Sequence, residues 1–122
     1  MVDDFEPWRR FAASKLRKEP GLQIVGEASN GLEAFEKAVE LEPDLILLDI
    51  SLTSLNGIET ARRIREMVPG AKIIFLSEES SVDIVQEAMS FGASGYVLKT
   101  LAASDLLTAV ETVLAGMKFF ST

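Results

Sequence analysis

The sequence contains neither cysteine nor histidine. Without cysteine there is no disulfide framework and no thiolate metal site; without histidine, the commonest zinc ligand and the commonest general base are both missing. Any metal held by this chain must therefore sit among oxygen atoms. Long apolar runs are missing too: none approaches the roughly 20 residues that cross a bilayer, and the opening MVDDFEPW lacks a basic or apolar leader. A soluble, cytoplasmic protein without membrane attachment is expected. Positive charge is scarce, with 12 Lys and Arg against 19 Asp and Glu for a net charge of -7. Direct binding of nucleic acid by this chain is therefore not expected.

What remains is enough for a core. The chain has 122 residues, 48% of them hydrophobic, which fits one compact domain spanning 1–122. Amphipathic and purely apolar segments alternate along it. EPWRRFAASKLRK sets Trp8, Phe11, Ala12 and Leu16 on one helical stripe, and Pro7 suits a first helical turn. LQIVGEA (22–28) reads as a strand and LEAFEKAVEL (32–41) as a helix. A buried strand ending at Asp49 follows, then a helix over 58–67, the strand KIIFL (72–76), a helix over 82–91 and the strand GYVL (95–98). A closing helix over 104–116 would take Ser104 or Asp105 as N-cap and stop at Gly116. Strictly alternating strands and helices imply a parallel sheet covered on both faces. The pattern nevertheless begins on a helix, and only Met1 and Val2 stand where a first strand should be.

The polar residues fall at strand ends. Asp3 and Asp4 follow the stub of the first strand; Asp49, Ser77 and Lys99 follow later ones. A parallel sheet brings those ends to one edge, where ligands of open α/β sheets bind. Three carboxylates gathered there repel one another unless a cation or proton intervenes, and Mg²⁺, a hard ion that retains waters and accepts phosphate oxygens, suits them. Lys99 and the Ser77 hydroxyl would then face phosphoryl oxygens as a point charge and a donor. Singly, each residue has an ordinary role as turn former, cap or solvated charge. Acid, acid, hydroxyl and ammonium at successive strand ends are harder to explain that way.

Together the DD pair at 3 and 4, LILLDISLTSLNGIE (45–59), IIFLS (73–77) and GASGYVLK (92–99) resemble the receiver domains of two-component response regulators. GASGYVLK and the ending LAGMKFF are most similar to the NarL/FixJ subfamily, whose receivers usually precede a DNA-binding helix-turn-helix. The resemblance implies a flavodoxin-like, doubly wound α/β fold. Its parallel sheet would have five strands in the order 2-1-3-4-5, with the first and central strand largely truncated here. It implies Asp49 as phosphoacceptor, with Asp3, Asp4, Asp49 and the backbone carbonyl of Ser51 as the Mg²⁺ site. Lys99 would bind phosphate, Ser77 would be the switch hydroxyl and Tyr96 the switch aromatic. It further implies a sensor histidine kinase as partner, a possible homodimer, and transcription regulation through an output domain not expected within these 122 residues.

The chain would thus be no enzyme beyond its own phosphoryl transfer and dephosphorylation. Thr53, Glu78 and Thr100 depart from the family pattern, and the resemblance implies that the side chains of Ser51 and Glu79 influence signal decay. A phosphorylation-independent docking or dimerisation module is the alternative. A flavodoxin-like enzyme is disfavoured, because no glycine-rich phosphate loop follows the early strands.

Overall fold

The computed structural model describes residues 1–51, 57–78 and 82–121. Its helices are α1 (Glu6–Leu16), α2 (Gly31–Leu41), α3 (Gly57–Met67), α4 (Val82–Ser90) and α5 (Ala102–Leu114); its strands are β1 (Leu45–Asp49), β2 (Lys72–Ser77), β3 (Gly95–Leu98) and β4 (Phe119–Phe120). The strands form one parallel sheet in the order β1-β2-β3-β4.

Each strand sends alternate side chains to opposite faces. Ile46, Leu48, Ile73, Phe75 and Tyr96 meet alanines 34, 38, 61 and 88 and Ile64, from α2, α3 and α4. Leu47, Ile74, Leu76 and Val97 meet Ala12 and Leu16 of α1 and Leu106, Ala109, Val110 and Val113 of α5. Small residues on the helices let them approach the large aliphatic side chains of the sheet, and β1 and β2 are buried almost throughout. This is the doubly wound α/β arrangement that the alternation implies.

Local chemistry sets the helix limits. Pro7 sits in the first turn of α1. Asn30 caps α2 by accepting a hydrogen bond from the Glu33 N–H at 2.9 Å, and α2 ends at Glu42 in the left-handed region, φ 46°. Helix α5 begins at Ala102, before the expected cap at Ser104 or Asp105; no side chain caps it, and the Ser104 hydroxyl instead donates back to the Leu101 carbonyl.

The sheet differs from the expected five strands at both edges. Residues 22–27 are not a strand; only Ala28 makes a bridge, to Val2, and Val2 also bridges to Leu48, both in parallel. The order Ala28, Val2, Leu48 preserves the 2-1-3 arrangement, reduced to the few bonds that Met1–Asp3 can reach. Val2 N–H donates to the Leu47 carbonyl at 2.8 Å, Asp49 N–H to Val2 at 2.9 Å, Asp3 N–H to Ala28 at 3.0 Å and Ala28 N–H to Met1 at 2.9 Å. Among the described residues no backbone beyond Met1–Asp3 runs alongside 22–27, and this otherwise strand-like segment forms no ladder. A cleft of about 520 Å³ lies there, lined among others by Ile24, Val25, Ala38, Leu45 and Leu47. At the other edge, Phe119 and Phe120 pair with Gly95 and Tyr96, and the Ser121 N–H bonds the Tyr96 carbonyl at 2.8 Å. A two-residue strand has no periodicity for a sequence reading to detect.

Two outcomes follow for stability. Three or four β-branched residues fused ahead of Met1 should fill the cleft and raise the thermal midpoint; an unchanged midpoint would mean that the cleft does not accept a strand. The Met1 ammonium donates to the Gly26 carbonyl at 3.2 Å, and burial, opposed by the charge of Glu27, lowers its pKa from 8.0 to about 6. Between those values the unfolded chain holds a proton that the folded one has shed, so stability in urea titrations should rise with pH from about 6 to 8 and then level off.

Candidate functional site

Two aspartates at the sheet edge are held in the same way. Asp3 Oδ1 accepts from the Phe5 N–H at 2.8 Å, and Asp49 Oδ1 accepts from the Ser51 N–H at 3.0 Å. Each is an Asx-type turn, in which the carboxylate bonds the backbone two residues on and fixes its own rotamer. The second oxygens face one ammonium: Lys99 Nζ lies 2.6 Å from Asp3 Oδ2 and 3.4 Å from Asp49 Oδ2. Asp49 ends β1, and Lys99 opens a 3₁₀ turn (Lys99–Leu101) directly after β3. The parallel register brings residues fifty apart in sequence to one edge.

The group is buried, with Asp3 only 1% and Asp49 5% exposed. Burial raises the pKa of Asp49, and the charge of Asp3 adds to the rise; the Ser51 N–H and Lys99 oppose it. For Lys99, burial works against the charged form, but the hydrogen bond to Asp3 and the charges of Asp49 and Asp3 outweigh it and raise the pKa. Asp4 is exposed at the rim, and one oxygen from each of Asp3, Asp4 and Asp49 falls within 4.8 Å of the others. Three carboxylates thus gather at one edge, two of them paired with the one ammonium. A hard, oxygen-only donor set with excess negative charge fits Mg²⁺.

The other expected site residues lie around this group. Ser51 reaches Asp49 through its N–H. Ser77 ends β2 and pairs with Leu98, two positions beyond the Phe75–Tyr96 pair, so Ser77 and Tyr96 share the sheet face covered by α2, α3 and α4. Both are buried and both are already engaged with partners. Asp3, Asp49 and Lys99 continue the opposite face. Glu78 and Thr100 are exposed. Thr53 and Glu79 lie outside the described residues.

Gly57 closes the segment after Asp49. Its N–H bonds the Ile50 carbonyl at 3.2 Å, and an added Cβ would lie 2.5 Å from the Asp49 carbonyl oxygen and from Ile50 Cα. Any side chain there would push the backbone that carries Asp49.

Trp8 and Arg9 were not read as site residues from the sequence. Arg9 bonds the Asp3 carbonyl and lies 3.4 Å from Glu27, tying α1 to the acidic turn. The Trp8 ring lies 5.1 Å from Lys99 Nζ. The helical stripe placed Trp8 in the core, and part of it is there. The available clue was position: α1 starts only two residues after the acidic pair, so its first turn must border whatever that pair holds.

In metal-free protein, Asp49→Asn should raise the thermal midpoint by a few degrees, because it removes a charge that burial disfavours. Lys99→Ala, by stranding Asp3 and Asp49 together, should destabilise by about 3 kcal/mol in urea titrations. Equal midpoints for both variants and wild type would show that the three groups are not coupled.

Residues 1–111 match the family described as the response regulator receiver domain. The chain is 40% identical over 116 residues to the transcriptional regulatory protein LnrK of Bacillus subtilis, covering 95% of this chain and 53% of that protein. With the nitrate/nitrite response regulator protein NarL of Escherichia coli it shares 37% identity over 116 residues, covering 95% and 54%. It therefore spans about half the length of these relatives. Among solved structures, a LuxR-family two-component response regulator from Aurantimonas superposes with a TM-score of 0.92 at 32% identity, over 97% of this chain and 84% of that one. The response regulator domain of Thermotoga maritima CheB does so with a TM-score of 0.86 at 31% identity, over 93% and 92%. With nine-tenths of its length matching the receiver model and 40% identity to such a relative, the chain belongs to the response regulator receiver domain family, among receivers of the NarL/LuxR type.

Proposed function

We propose that Asp49 accepts a phosphoryl group from the phosphohistidine of a sensor kinase, or from a small phosphodonor, and that the change is read by a partner or a second copy of the chain. The observation that carries this reading is the pairing of Asp49 Oδ2 with Lys99 Nζ at 3.4 Å while Oδ1 is occupied by the Ser51 N–H. That leaves one carboxylate oxygen turned toward a cation, the arrangement a nucleophile needs if the group it receives is to meet positive charge on arrival.

Oδ2 attacks phosphorus in line with the leaving group. The new O–P bond forms as the P–N bond breaks, and the departing imidazole nitrogen keeps the electron pair and takes up a proton. Lys99 stays protonated, which its raised pKa favours, and moves from carboxylate to phosphoryl oxygens. Asp3, Asp4, Asp49 and the Ser51 carbonyl would hold a Mg²⁺ ion, which would supply positive charge against which the carboxylates and the phosphoryl group could share one edge. The acyl phosphate then draws on the Ser77 hydroxyl as a donor. Ser77 and Tyr96 lie on the same sheet face, so an inward shift of the hydroxyl changes the space available to the ring. The full-length protein, with an output domain beyond these residues, would turn that change into transcription regulation.

Incubation with Mg²⁺ and acetyl phosphate, followed by intact mass, tests the assignment. A single phosphate adduct should form on the wild type and not on Asp49→Ala. Ser77→Ala should still be phosphorylated but should lose the accompanying shift in the Tyr96 environment seen by NMR. Full labelling of Asp49→Ala would refute the acceptor assignment, and no adduct on folded wild type would favour a phosphorylation-independent docking module.

A further inference from the structure

The phosphate-binding role of Lys99 depends on where its ammonium is held once Asp49 becomes occupied. In the structure it is bordered by Asp3 Oδ2, Asp49 Oδ2 and the face of Trp8, with the Trp8 centroid 5.1 Å away. These contacts differ in kind. A carboxylate takes an N–H and so competes with any incoming phosphoryl oxygen for the donors of Lys99. An indole face attracts the charge electrostatically without claiming a donor in a fixed direction. As Asp49 Oδ2 turns into a nucleophile, Lys99 must release it, and the contact to Trp8 can persist unchanged through that exchange.

Trp8 is itself well placed to do this. Pro7 starts α1 beside the acidic turn, which puts Trp8 in its first turn. The ring is braced by Phe11 at a centroid distance of 6.1 Å and an interplanar angle of 57°. Phe11 in turn packs against the core shared by α1 and α5. The Lys99 side chain is only 11% exposed, and the indole forms part of what keeps water from it.

We propose that Trp8 is a positioning residue for phosphoryl transfer: its indole face holds the Lys99 ammonium over the Asp49 carboxylate, leaving the ammonium's donors available to the phosphoryl oxygens. This rests on the receiver reading above and adds to it a residue that the acidic, hydroxyl and lysine motifs do not contain.

Trp8 is the one tryptophan in the chain, so tryptophan emission comes from this ring alone and responds to a change beside it. In metal-free protein, Lys99→Ala should shift and brighten the Trp8 emission; unchanged emission would overturn the contact. The initial rate of adduct formation from acetyl phosphate should fall in the order wild type, Trp8→Phe, Trp8→Leu, with a loss of roughly 3- to 30-fold for Trp8→Leu. A merely structural role would treat Phe and Leu alike as smaller apolar fillers, and equal rates for the two would overturn the proposal. In a Lys99→Ala background, Trp8→Leu should cost no further rate, because the two residues act through one interaction. An additive loss would also overturn it. Should Trp8→Leu fail to fold by circular dichroism, Trp8→Phe against wild type in both backgrounds and the emission shift carry the same decision. No adduct on the wild type would remove the receiver reading and this role together, whereas an adduct on the wild type with no Trp8 dependence would remove this role alone.

Discussion

One ammonium shared by two buried carboxylates organises the polar edge of this sheet. Lys99 directly follows β3, Asp3 follows the Val2 bridge and Asp49 ends β1, so the contact joins three segments far apart in the chain. Each carboxylate has its other oxygen fixed by the backbone two residues on. Neither can rotate away from the lysine without abandoning a turn. Removing two carboxylates from water is unfavourable unless charge and hydrogen bonds are supplied in return, and here both are. The same strain makes the site ready for a further cation, since one ammonium does not balance three acids.

The sheet then divides labour by the parity of its residues. Odd and even positions along a strand face opposite layers, so the acid–lysine group belongs to the side of α1 and α5, and Ser77 and Tyr96 to the side of α2, α3 and α4. The acid–lysine group and the Ser77–Tyr96 pair are thus separated by a single strand thickness. The contact of Trp8 with Lys99 belongs to the first of these layers, which is why α1 borders the acid–lysine group.

Much of this was readable before any coordinates. Short apolar runs capped by a polar residue at 49, 77 and 99 gave both the strands and the polar residues at their tips, because burial on both faces removes polar residues from the interior of a strand and leaves them only at its ends. That Met1 and Val2 by themselves cannot make a ladder was equally visible. Its consequence for residues 22–27 was not, because strand propensity is a property of a sequence whereas a strand requires a neighbour. The pair Phe119–Phe120 was missed for the converse reason: its pairing is dictated by the open edge of β3, with no pattern of its own. Trp8 was placed in the core by its helical stripe, and nothing in a periodicity reports that a ring has two faces, one turned to the core and one to a cation.

The two ends of the chain are attached to the sheet in mechanically different ways. Met1–Asp3 lies between Ala28 and Leu48 and is bonded to both sides, so a pull along its axis loads several hydrogen bonds at once, in shear. The other end is a two-residue strand on an outer edge, fastened at its tip by Ser121 to Tyr96 and Asp105. A pull on it opens those bonds in succession, as a zipper opens. Tension entering through the C-terminal end would therefore reach the strand that carries Tyr96 at low force, while the acidic turn at the other end stayed in place.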